Sequence, residues 1–118
     1  MPDALITSEH FPYLRATVTV RSQIQEVETL LDTGFSGYVV LPEGSLGEDV
    51  APDFYTVWQV ADGRKISAPL YEGTITIGEA EPIDALITLL GDEPILGREV
   101  IGRFSITLDH GLRVTVER

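Results

Sequence analysis

Asp32 stands where a charged group is costly. It follows Leu30 and Leu31, an apolar pair that reads as the end of a buried strand, and precedes Thr33 and Gly34, where the chain must turn. A buried carboxylate is expensive unless it is hydrogen-bonded or neutralised, so an acid in this setting calls for a chemical reason. Gly34 lets the backbone take positive φ or lets another chain pass close by. The Thr33 hydroxyl can bond a neighbouring backbone group. Few other residues offer chemistry. The chain has no cysteine, hence no disulfide framework, thiolate nucleophile or cysteine zinc site. His10 and His110 lie near opposite ends of the sequence and read as surface or loop residues rather than a metal pair. No metal and no cofactor is implied.

The string Leu30-Leu31-Asp32-Thr33-Gly34 resembles the active-site signature of the aspartic peptidases. Pro94-Ile95-Leu96-Gly97-Arg98 resembles the apolar-apolar-Gly-Arg element of the single-domain, retropepsin-like members, and Ala61-Asp62-Gly63-Arg64 is a hairpin signal where that family places its flap. The three landmarks keep the family's order and span most of the chain. The resemblance implies an all-β fold, the closed β-barrel of a retropepsin-like acid-protease half with one short C-terminal helix. It assigns Asp32 the catalytic role, Thr33 and Gly34 the support of the active-site loop, Ala61, Asp62 and Gly63 the flap, and Gly97 and Arg98 the structural Gly-Arg element. Phe35, apolar in the active-site loop, fits a bacterial or archaeal member better than a virus-derived one.

Chemistry of this class needs two carboxylates sharing one proton. The ionised one takes a proton from water as the water attacks a peptide carbonyl, and the protonated one donates to the developing oxyanion. Like charges a few ångströms apart cannot both ionise, which keeps the pair singly protonated. The sequence holds one Asp-Thr-Gly only; Asp62 and Asp109 fall in glycine-containing turns, and the other aspartates read as loop or surface residues. The second acid is therefore expected from a second chain, in a homodimer whose twofold axis brings Asp32 to face its own copy. The expected partner is a polypeptide substrate, extended as an added strand between the active-site loops and the flaps. Val39, Val40, Trp58, Val60 and Ile95 are candidate pocket walls, each also readable as core.

Two departures from the viral pattern matter. Ser36 stands where viral members commonly carry an acid that pairs with the arginine, so Arg98 is expected to pair with Glu99 or with the other subunit. The chain also continues from Phe104 to Arg118 where viral chains stop, so its dimer contact is expected to differ from their interleaved termini. The competing readings are a catalytically silent module of the same fold that binds peptide or dimerises, and an unrelated small β-barrel for an apolar ligand with Asp32 as a turn residue.

With 118 residues, residues 1–118 are expected to form one domain. The hydrophobic share of 43% and charged share of 23% are those of a globular protein. A net charge of −11 argues against nucleic acid and anionic membrane as partners, since both would repel it. Met1 to Ile6 lacks the basic start and apolar run of a secretory leader, and no uncharged run approaches the roughly 18 residues needed to span a bilayer. The default location is cytoplasmic.

Alternation and β-branched residues predict strands over Tyr13–Val20, Val27–Leu31, Tyr38–Leu41 and Phe54–Val60, then from Lys65 to Ile77 with an interruption at Pro69, and around Ala85–Leu90. Ser22–Gln25 is expected to turn the first strand into the second, and Pro42–Pro52 to be loop. Asp62-Gly63 predicts a two-residue turn because both positions accept positive φ. Arg98–Phe104 predicts two helical turns with Val100, Ile101 and Phe104 inward. Ser105–Leu108 and Leu112–Val116 predict a hairpin about Asp109-His110-Gly111.

Overall fold

The computed structural model describes residues 4–118; the amino-terminal reading on Met1, Pro2 and Asp3 lies outside the described residues. The elements run β1 (Ile6–Ser8), β2 (Tyr13–Val20), β3 (Gln23–Leu31), β4 (Val39–Leu41), β5 (Phe54–Gln59), β6 (Lys65–Thr76), β7 (Ile83–Leu89), β8 (Ile95–Leu96), α1 (Arg98–Ile101), β9 (Ser105–Asp109) and β10 (Arg113–Glu117).

Six strands close into a barrel in the order β2-β3-β8-β4-β7-β6, because β6 pairs with β2 as well as with β7, and β5 hangs on the outer edge of β6. Closure brings β6 hard against β2 at Gly73, where a Cβ would lie 2.2 Å from the carbonyl oxygen of Thr19. Only a residue without a side chain fits there. Leu14, Val18 and Val20 of β2 alternate into the interior, where Ile75, Ile87 and Leu96 meet them. Each such side chain stabilises the fold by about 1.5–3 kcal/mol when fully buried. Thr29 and Thr88 are the buried polar residues among those described, and the Thr29 hydroxyl donates to the carbonyl of Leu14 at 2.7 Å. A second sheet, β1-β10-β9, brings residues from both ends of the described chain together, with Ile6 paired to Val116. Val114 and Val116 are fully buried and join the barrel core together with Val100 of the helix.

Several boundaries differ from those expected, each for a physical reason. β3 begins at Gln23, so the turn from β2 is only Arg21-Ser22. The polar residues that suggest a longer turn are tethers: the Gln23 and Gln25 amides donate at 3.0 Å to the carbonyls of Leu46 and Ser45 in the following loop. Arg21 takes a φ of +55°, uncommon for a residue with a side chain, and is held there by its guanidinium, which bonds both oxygens of Asp53 and the Ala51 carbonyl. β6 runs through Pro69 without a break. Pairing with β7 starts only at Leu70, and the half-buried Pro69 carbonyl is taken by the Thr88 hydroxyl at 2.9 Å. The helix is one turn, Arg98–Ile101, and stops at Gly102; Val100 is buried as expected, while Ile101 and Phe104 are half-buried against the core. The last hairpin turns through His110–Leu112, three residues between the paired Asp109 and Arg113, with His110 and Gly111 at φ of +53° and +70° and the Leu112 N–H donating to the Asp109 carbonyl at 2.9 Å.

Candidate active site

β3 delivers Asp32 to one end of the barrel, half-buried rather than sealed inside. Its backbone N–H donates to the Leu96 carbonyl at 3.0 Å, continuing the parallel β3–β8 pairing by one residue. Its carbonyl accepts from the Phe35 N–H at 3.2 Å, and its side-chain Oδ1 accepts from the Gly34 N–H at 2.8 Å. The carboxylate is thus oriented by its own loop, and a Cβ at Gly34 would stand 3.1 Å from Oδ1. Thr33 is exposed, and its hydroxyl has no partner among the described residues.

The loop after Asp32 is pinned from below by the Gly-Arg element. The Gly97 N–H donates to the Tyr38 carbonyl at 2.8 Å, the Arg98 N–H to that of Phe35 at 2.9 Å, and the Glu99 N–H to that of Gly37 at 3.1 Å. These are donors that a helix start leaves unpaired, so the turn of helix satisfies itself by holding the loop. Gly97 has no room for a side chain: a Cβ would sit 2.3 Å from the Gly37 carbonyl oxygen and 2.5 Å from the Phe35 ring. The Arg98 guanidinium is exposed and makes no ion pair with Glu99 or any other described residue, against the expected pairing. What the site uses from Arg98 is its backbone N–H. Ser36 is exposed beside it.

The β5–β6 hairpin rises over this loop. Its tip is a three-residue loop, Ala61–Gly63, and not the expected two-residue turn: the Gly63 N–H donates to the Val60 carbonyl, the Val60 N–H to that of Arg64, both at 2.9 Å, and only Gly63 has positive φ, at +89°. Asp62 acts through its side chain, accepting from the Arg64 N–H at 3.0 Å and from its guanidinium at 2.6 Å. Further down the arm Trp58 packs on Phe35 with ring centroids 5.0 Å apart and planes at 60°, so the hairpin touches the loop that carries Asp32.

Between hairpin and loop lies a cleft of about 750 Å³. Asp32, Gly34, Ala61 and Gly63 all line it, as do Val40, Trp58, Val60 and Ile95 of the candidate pocket walls. Val39 does not. It is fully buried in the barrel, since strand parity sends neighbouring residues of β4 to opposite sides. Sequence reasoning missed the segment Leu90–Glu93, which completes the lining. Its position depends on contacts distant in sequence: the Tyr13 hydroxyl donates to Glu93 Oε1 at 2.5 Å across a separation of 80 residues. That bond to a carboxylate, with some burial, raises the Tyr13 pKa above its usual value. Among the described residues no group of three or more His, Cys, Asp or Glu side chains is placed to hold a metal ion, and no helix is long and apolar enough to cross a membrane.

No family model and no curated protein matches this chain. Among solved structures, the retropepsin-like aspartic protease from Rickettsia conorii superposes with a TM-score of 0.64 at 21% identity, covering 95% of this chain and 89% of that one. The Simian Foamy Virus (mac) protease superposes with a TM-score of 0.55 at 18% identity, covering 76% of this chain and 91% of that one. The chain has the all-β, closed-barrel fold of retropepsin-like proteases, with one short helix.

Proposed function

We propose that the chain is an aspartic endopeptidase of retropepsin type, of the bacterial or archaeal kind, that hydrolyses extended polypeptide as a homodimer. The observation that carries this reading is Asp32 itself: a carboxylate on the wall of an open cleft, its Oδ1 fixed by the Gly34 N–H, its loop braced by Gly97, Arg98 and Glu99. One carboxylate cannot both take a proton from water and give one to the carbonyl oxygen, so the working site takes a second Asp32 from a twofold-related copy. The pair shares one proton. The ionised member activates the water, the protonated member stabilises the oxyanion, and the proton then passes to the leaving amine. The exposed Thr33 hydroxyl is free to reach the partner's loop, and the Ala61–Gly63 tip acts as the flap over the substrate strand.

The test is Asp32→Asn. An asparagine Oδ1 still accepts from the Gly34 N–H, so the variant should melt within about 1 kcal/mol of the parent while losing all acid-dependent cleavage of a denatured protein. Cleavage that persists in the variant, or a parent that is monomeric in sedimentation at every acidic to neutral pH and salt concentration, would sink the proposal.

A further inference from the structure

The lining of the cleft is chemically one-sided. It carries three carboxylates, Asp32, Asp92 and Glu93, and no lysine, arginine or histidine. The hairpin's Arg64 and Lys65 do not line the cleft, and Arg64 is already paired with Asp62. Asp92 and Glu93 are presented by a segment tied at both ends: the Leu90 N–H donates to the Leu41 carbonyl at 3.0 Å, and the Pro94 carbonyl accepts from the Leu30 N–H at 2.9 Å. Between those anchors the Glu43 N–H holds the Gly91 carbonyl at 3.0 Å. Tyr13 occupies one oxygen of Glu93 and so fixes the direction of the other, which has no hydrogen-bond partner among the described residues. Ile95 and Trp58 supply apolar surface in the same cleft.

We infer that Asp92 and Glu93 are specificity-determining residues that select a peptide with a lysine or arginine side chain in this part of the cleft. The inference rests on the proposed peptidase reading for where the substrate lies. The aliphatic stem of such a side chain lies along Ile95 and the Trp58 ring, whose face also attracts a cation, while its charged end meets the two carboxylates. An acidic side chain in the same place is repelled by Asp92 and Glu93.

The experiment separates recognition from turnover by using the Asp32→Asn protein. Labelled decapeptides identical except for lysine, norleucine or glutamate, scanned through the central positions, are titrated by fluorescence anisotropy at about pH 6. At one position lysine should bind about tenfold tighter than norleucine and glutamate weaker still. Adding Asp92→Asn and Glu93→Gln should erase that preference; the glutamine still accepts from Tyr13, and a thermal melt checks the fold. Removing the two acids of a remote turn instead, by Glu79→Gln and Glu81→Gln, should leave it intact. Equal binding of the three peptides, no binding of any, or equal loss in the remote variant overturns the inference. If the parent cleaves them without regard to lysine, the peptidase reading stands and this one falls. Lysine-selective binding with no cleavage by the parent does the reverse.

Discussion

Gly97→Ala tests whether the Gly-Arg element braces the loop that carries Asp32. Its φ of −97° and ψ of 178° are open to any residue, so glycine is required there for space and not for conformation. An alanine Cβ would fall 2.3 Å from the Gly37 carbonyl oxygen and 2.5 Å from Phe35 Cδ2, and the former is backbone that cannot swing aside. Forcing a methyl into such a site costs about 1–3 kcal/mol. The displacement also stretches the bonds from Gly97, Arg98 and Glu99 to the loop carbonyls, at about 1 kcal/mol for each one lost. With about two of these bonds lost, a total of about 3–5 kcal/mol follows, and at about 0.25 kcal/mol/K of unfolding entropy for 118 residues this lowers Tm by about 12–20 °C. Gly102→Ala is the control, because Gly102 has φ of −66° and ψ of −9° and its added Cβ meets only the Arg98 carbonyl oxygen at 3.0 Å. That change should stay within about 1 kcal/mol of the parent. Thermal melts followed by far-ultraviolet circular dichroism read both variants. If Gly97→Ala melts within about 4 °C of Gly102→Ala, the brace is not what holds the loop.

Two further outcomes follow from charge. The backbone N–H of Glu72 and the guanidinium of Arg21 hold the Asp53 carboxyl below its usual 3.8, so this group stabilises the fold fully above that value and loses its effect as pH falls through the lower folded value. The gap in urea midpoint between the parent and Asp53→Asn should therefore be wide at about pH 6 and shrink by about pH 3; a gap that widens on acidification would contradict the sign. Two subunits carrying −11 each repel one another at neutral pH, so raising salt from about 0.05 to about 0.5 M, or mild acid, should tighten the proposed dimer and raise activity; sedimentation showing weaker association would refute this.

Much of the frame is local in origin and could be read along the chain. The alternation of Tyr13–Val20 marks β2 correctly, the His110-Gly111 turn follows from its residues, and Asp32 does fall where an apolar strand gives way to a turn. What could not be read depends on partners remote in sequence. β1 is three residues long and exists because Val114–Val116 pairs with it. Val39 and Val40 are chemically alike, and only the register of β4 against β7 and β8 sends one to the core and the other to the cleft. The Leu90–Glu93 segment carries no motif of its own and is placed by Tyr13, Leu30 and Leu41. Arg98 was expected to contribute a charge, whereas a main-chain donor at a helix start has no signature in residue type.

β6 serves two masters along its twelve residues. From Lys65 to Ala68 its strand pairing is on one side only, with β5; from Leu70 onward it is gripped by β7, and around Thr74–Thr76 by β2 as well. The hairpin is therefore rooted in the barrel wall, while toward the Ala61–Gly63 tip its two strands pair only with each other and meet the Asp32 loop through Trp58 and Phe35. In the proposed peptidase, a substrate strand beneath the tip would therefore meet the part of the hairpin that the barrel's own pairing does not hold, and contacts made there are separate from those that close the fold.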